Sequence, residues 1–290
     1  MRRHVALEED PLKKQLRNLV FLPVILLLAL FLPGGCGQRD AGAENRVVVF
    51  AASSLTDVFQ ELGQAFSRKH PEIEVQFNLA GTQTLVNQLR QGAEADLLAS
   101  ADTAYVDEIA AAGMVAASRA MAYNRLVLAV YPDAAGRIRG GEDLSGPVRL
   151  VLAAEQVPAG RYTRQALEQI EAVEGPGFAA RVLAKAVSQE LNVRQVLSKV
   201  TLGEADAGFV YYTDAVAAGD KVVIRELPPA GQVRATYVLA RLRPAPNPGG
   251  GQAFYDFVLS PAGQEILARR GFMPNNYSAS RPVGGRTAND

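Results

Sequence analysis

The chain has 290 residues, 48% of them hydrophobic and 21% charged, with 30 basic side chains against 30 acidic ones. That is a globular composition with ample apolar material for a core, and a net charge of zero speaks against a nucleic-acid binder, which carries a basic excess. There are only two histidines, His4 in the N-terminal segment and His70 in the polar turn Lys69-His70-Pro71-Glu72, so histidine-based triads and zinc sites are not expected.

Arg2, Arg3, Lys13, Lys14 and Arg17 precede an apolar run over residues 19–32. A basic segment ahead of an apolar run too short for a comfortable membrane span is the pattern of an export signal. Leu32-Pro33-Gly34-Gly35-Cys36 follows, and it resembles a bacterial lipoprotein signal in which Pro33 displaces the usual leucine by one place. Cys36, the single cysteine, is thereby expected to be lipidated at the end of a signal segment spanning 1–36; the alternative is an incidental thiol in an uncleaved anchor. Residues 37–45 read as a tether.

From Arg46 onward strand and helix patterns alternate, the signature of an α/β protein with a parallel-rich sheet. Strands are predicted at 46–51, 73–79, 96–100, 124–131, 147–153, 207–212, 221–226 and 235–242. Helices are predicted near 55–69, 83–92, 103–112, 160–173, 177–186, 192–202 and 250–269. Gly92, Gly113 and Gly203 fall just past helix ends, where a left-handed residue is wanted. Residues 278–290 carry no apolar period and read as a disordered tail. A mature chain of this size often splits into two lobes, and the long apolar strands 124–131 and 235–242 are the natural crossings.

Chemistry concentrates where strands run into helices. Val47-Val48-Val49-Phe50-Ala51-Ala52-Ser53-Ser54-Leu55-Thr56-Asp57 is a buried strand passing into an amphipathic helix of Leu55, Val58, Phe59, Leu62 and Phe66. Ser54 with Asp57 three residues on resembles a capping box. The same hydroxyl and the free N–H groups of the helix start also suit an anion. Asn78-Leu79-Ala80-Gly81-Thr82-Gln83 is a second junction, with Gly81 permitting close backbone approach and Thr82 bringing a hydroxyl. Pro158 suits the first turn of a third helix, Asn192 reads as the N-cap of a fourth, and Gly208-Phe209-Val210-Tyr211-Tyr212 is a strand ending in two tyrosines. Capping and core packing account for each junction singly; together they offer hydroxyls and N–H groups but few carboxylates. Ligands of open α/β sheets sit beyond the carboxyl ends of the strands.

These stretches, joined by Gln91-Gly92-Ala93-Glu94-Ala95-Asp96-Leu97-Leu98-Ala99-Ser100-Ala101-Asp102, Val157-Pro158-Ala159-Gly160, Asn192-Val193-Arg194 and Thr213-Asp214-Ala215, resemble the periplasmic molybdate-binding proteins of ABC importers, the ModA family, from about Arg46 to Phe272. The resemblance implies a two-lobed periplasmic-binding-protein fold of type II, each lobe a parallel-rich sheet flanked by helices, with the ligand in the cleft. It implies lobe 1 at 46–125 plus 236–277 and lobe 2 at 126–235, closing by hinge bending and docking on a membrane permease. The implied contacts to molybdate are the hydroxyls of Ser54 and Thr82, the backbone N–H groups of Ala159 and Val193, and the phenol of Tyr211. They touch the oxygens of the anion and are not direct metal ligands. Thr82 stands where the family more often has serine, and Tyr212 is a competitor that strand alternation points to the other face.

The chemistry agrees. Molybdate near neutral pH is a fully deprotonated tetrahedral dianion, so donors alone match it; phosphate keeps a proton and needs an acceptor. Sulfate is smaller, and tungstate is nearly the same size as molybdate. Arg161 and Arg194 are expected on the lobe surface or rim, because long charged side chains stay solvated. The resulting expectation is a monomeric, lipid-anchored receptor that is not an enzyme, needs no cofactor and takes molybdate or tungstate to an ABC permease. A tungstate- or sulfate-specific receptor is the alternative within the class. An enzyme on the same fold would need a general acid or base, and an anchored structural module would not be stabilised by any anion.

Overall fold

In a computed structural model the residues described are 45–275. The signal segment, Cys36, the tether short of its last residue and the tail at 278–290 lie outside them. Among the described residues no helix is long and apolar enough to cross a membrane.

β1 (Arg46–Ala52) lies between β2 (Glu74–Ala80) and β3 (Leu97–Ser100), parallel to both. α1 (Thr56–Ser67) crosses from β1 to β2 and buries Val58, Phe59, Leu62 and Phe66. Phe59 and Phe66 meet Phe254 edge to face at 6.3 and 5.2 Å between ring centres, and burying each such ring is worth ~1.5–3 kcal/mol. α2 (Thr82–Arg90) and α3 (Ala104–Ala111) follow β2 and β3. The glycines ending the helical stretches, Gly92, Gly113 and Gly203, have φ of 93°, 77° and 71°, as their sequence positions predict.

β4 (Val115–Val130) holds the molecule together. Its first part, Val115 to Arg125, runs antiparallel to β9 (Arg234–Leu242). Its second part, from Leu126 to Val130, runs antiparallel to β7 (Ala207–Tyr211) and, from Val127, to β8 (Val223–Glu226). β7 and β6 (Ala186–Glu190) both lie parallel to β5 (Leu150–Ala153). One strand thus serves two groups of strands, and the pairing changes between Arg125 and Leu126. The sheet is mixed, parallel at its outer strands and antiparallel along β4 and β9, and helices flank it. In the second group these are α4 (Pro158–Glu174), α5 (Phe178–Leu183), α6 (Val193–Thr201) and α7 (Tyr212–Ala218). α8 (Pro248–Leu259) and α9 (Pro261–Arg269) return to the first group, where β10 (Met273–Pro274) pairs with β4.

Several expectations need correction. β4 begins at Val115, not near 124, because the small and polar run Ala116-Ala117-Ser118-Arg119-Ala120 is held extended by β9 and not by its own propensity. β9 does not cross between the groups: its partners are β3 and the first part of β4, so the chain returns over residues 227–233 instead. β6 was not foreseen; its polar sequence fits an edge strand paired only with β5. The helix expected at 250–269 is two, because Pro261 holds Ser260 in extended backbone, where its hydroxyl accepts from Gly263 N–H and starts α9. Tyr212 opens α7 instead of ending β7.

Candidate functional site

The carboxyl ends of β1, β2, β3 and β7 and the N-termini of α4 and α6 converge on one small cavity. Ser54, Thr82, Ala159, Val193 and Tyr211, the five residues singled out in the sequence, all line it.

Ser54 sits in a short 3-10 turn, Ser53–Leu55, between β1 and α1. The expected capping box does not form, since α1 has no side-chain cap. Ser54 Oγ instead lies 2.8 Å from the phenol oxygen of Tyr237, and Asp57 turns away to Arg194. Thr82 is the first residue of α2, after Gly81 in extended backbone. Its Oγ1 accepts from Ala101 N–H at 3.2 Å, which leaves its own proton for another acceptor. Ala159 follows Pro158 in the first turn of α4, with Val157 as N-cap. Val193 is the first residue of α6, whose N-cap Asn192 accepts from Gln195 N–H at 3.0 Å, as the sequence suggests. The N–H groups of Ala159 and Val193 are among those that no carbonyl of their own helix can reach, and both sit at the positive end of a helix dipole.

Tyr211 is 1% exposed, and its phenol oxygen is buried with no hydrogen-bond partner among the described residues. Burial first, then the nearby Tyr237, Tyr162 and two carboxylates, push its pKa well above the ordinary phenol value. It is therefore a neutral donor aimed at a place where the protein supplies no acceptor, and an unmade buried hydrogen bond is costly. Tyr212 points elsewhere, its ring under the Arg125 guanidinium at 3.7 Å.

Among the described residues no charged side chain lines the cavity, but charge stands close behind it. Arg194, in the first turn of α6, contacts Asp57 of α1 at 2.5 Å and Asp214 of α7 at 2.7 Å. Its side chain is 28% exposed and that of Asp214 0%, so Arg194 is not the solvated rim residue expected from its type. Burial lowers its pKa, but the negative charges of Asp214 and Asp57 outweigh this and raise it overall. Arg161, also expected on the rim, pairs with Asp102 beyond β3 and stacks on Tyr105 at 4.5 Å. Tyr105 donates to the carbonyl of Gln156 at 2.7 Å, and Gln83 Nε2 to that of Leu191 at 2.6 Å. Each of these contacts joins an element of the first strand group to one of the second. Tyr237 and Asn124 were not picked out in the sequence, and Asp57, Arg194 and Asp214 were not foreseen as a cluster. The signal for the cluster is that its three members each lie in a matched stretch.

A family model described as bacterial extracellular solute-binding protein matches residues 47–273. The chain is 38% identical over 228 residues to the molybdate-binding protein ModA of Mycobacterium tuberculosis H37Rv, covering 78% of this chain and 84% of that protein. It is 30% identical over 238 residues to the molybdate-binding protein ModA of Escherichia coli K12, covering 79% and 89%. The periplasmic molybdate-binding protein of Azotobacter vinelandii superposes with a TM-score of 0.68 at 19% identity, over 78% of this chain and 98% of that one.

Proposed function

The chain belongs to the bacterial extracellular solute-binding protein family, and we propose that it holds molybdate in the cavity through Ser54, Thr82, Ala159, Val193 and Tyr211. The family is one of exported receptors and not of enzymes. The chain is the receptor of an ABC importer, capturing the anion outside the cytoplasm and passing it to the permease.

One observation carries the assignment of the site. A phenol that is buried and unpartnered faces a cavity shared with two hydroxyls and two helix N-termini, with no carboxylate among the lining residues. Donors without a formal countercharge suit an anion that has several oxygens and no proton. The same set suits tungstate, and sulfate to the extent that its smaller radius still reaches every donor, so calorimetric competition among the three ranks them. Titration of the soluble chain, the protein without residues 1–36, with molybdate tests the residues. Ser54→Ala and Tyr211→Phe are each expected to weaken binding by ~1–3 kcal/mol, since each leaves an anion oxygen one donor short; unchanged affinity in both would refute the site.

Three further points belong to the same proposal. The two lobes are 46–125 plus 236–277 and 126–235, hinged where β4 changes partners and where the chain returns ahead of β9. Cys36 carries a lipid that anchors the receptor to the membrane surface. The receptor works as a monomer.

A further inference from the structure

Ser54 can donate to an anion only if its single proton points into the cavity, and the groups behind it decide where that proton goes. Asn124, Tyr237 and Ser54 form a buried line, at 1%, 0% and 4% exposure. Arg125 N–H donates to Asn124 Oδ1 at 2.9 Å. A backbone N–H can only donate, so this contact fixes Oδ1 as the acceptor and Nδ2 as the donor of that amide. Nδ2 gives one proton to Thr213 Oγ1 at 2.9 Å. The amide therefore has no acceptor to offer the neighbouring Tyr237 phenol, and among the described residues the one hydrogen-bond partner of that phenol is Ser54 Oγ. A buried phenol proton left without an acceptor is costly, so Tyr237 gives its proton to Ser54 Oγ, 2.8 Å away. Ser54 Oγ then accepts from Tyr237, and its proton must leave on the other side, toward the cavity.

We propose that Tyr237 is a positioning residue that makes the Ser54 hydroxyl a donor toward the bound anion. This rests on the cavity being an oxyanion site. Thr82 is fixed in the same sense from the other wall, because Ala101 N–H occupies its oxygen. Both hydroxyls thus meet the ligand with their protons forward, and an anion that retains a proton finds its acceptors already engaged. Discrimination against protonated anions is thereby written into residues that do not touch the ligand.

A double-mutant cycle read by calorimetric titration with molybdate tests this on the soluble chain. Tyr237→Phe is expected to weaken binding roughly tenfold, the scale of one misdirected hydrogen bond. In a Ser54→Ala background the same substitution is expected to change affinity by less than about twofold, because a residue acting through Ser54 has nothing left to act on. A full tenfold loss in that background would show that Tyr237 contributes only packing, and the positioning role would be overturned. So would an unchanged affinity in Tyr237→Phe while Ser54→Ala binds weakly. If Ser54→Ala alone binds as well as the native chain, Ser54 is not a contact and the positioning role falls; if Tyr211→Phe does so too, the oxyanion-site reading itself fails. Asn124→Asp keeps the shape but offers an acceptor to the Tyr237 proton, and it serves in the same cycle if the phenylalanine variant does not fold. Its loss should likewise shrink when Ser54 is alanine, whereas a loss from the added charge alone would persist and count against the proposal.

Discussion

Asp214 is fully buried in the first turn of α7, and burial pushes its carboxyl pKa up to about 7, against the charge of Arg194. The unfolded chain releases that proton near 3.8. Between these two values the folded chain holds a proton that the unfolded chain has lost, so the contribution of this group to stability is complete below about 3.8. It is lost as pH rises through about 7. Asparagine mimics the protonated acid at every pH. The stability of the native chain minus that of Asp214→Asn is therefore expected to fall by at most ~1.4 kcal/mol per pH unit from pH 4 to 7, then to level off. Denaturant melts of both proteins across that range measure it, and a difference that rises with pH would contradict the sign. Residues like Asp214 and Tyr237 are hard to find in a sequence for a plain reason. Ser54 and Tyr237 are 183 positions apart, and neither neighbourhood announces the other. Ser54, Thr82, Ala159, Val193 and Tyr211 could be named from the sequence because each lies in a stretch that resembles the family; local pattern alone reads such positions as capping or packing, and their meeting in one cavity is visible only in the structure.

At the scale of elements, helices with a clean apolar period were readable and segments held by their partners were not. α4 shows its face through Ala166, Leu167 and Ile170, all buried, and Pro158 marks its start. The first part of β4 and the edge strand β6 owe their extension to neighbours, so local propensity is silent about them. The seating of α4 on β5 was equally invisible. A Cβ added to Gly160 would lie 2.0 Å from the carbonyl oxygen of Ala154 and 2.6 Å from that of Ala153. Backbone cannot yield as a side-chain tip can, so Gly160→Ala must lift the first turn of α4 off the end of β5, and Ala159 N–H moves with it. The expected outcome is a loss of ~1–3 kcal/mol in stability, read by thermal or denaturant melting, together with weaker molybdate binding by calorimetry. Should affinity hold while stability drops, Ala159 N–H is not a ligand contact.

At the scale of the whole molecule, the two groups of strands are joined by β4 and by residues 227–233, and the contacts beside the cavity draw them together. Arg161 with Asp102, Arg194 with Asp57, and Gln83 with Leu191 each span the gap. If the proposed lobes hinge, these contacts belong to the closed state, and apparent affinity depends on how much of the protein can reach it. Gly81 offers a way to perturb closure alone. Its backbone, φ −62° and ψ 141°, is one that alanine adopts freely. A methyl group there would, however, come within 2.4 Å of the Leu191 carbonyl across the cavity. The other close atoms belong to the Gln83 side-chain end, which can turn aside. Gly81→Ala should leave the melting temperature of the anion-free protein nearly unchanged if that protein rests open, while weakening molybdate binding roughly ten- to a hundredfold. Small-angle scattering gives the second readout: the radius of gyration of the native chain should fall on adding molybdate, and that of the variant should fall less at equal saturation. Native-like affinity in Gly81→Ala would mean that Leu191 need not approach Gly81 for capture, and the hinge would have to lie elsewhere.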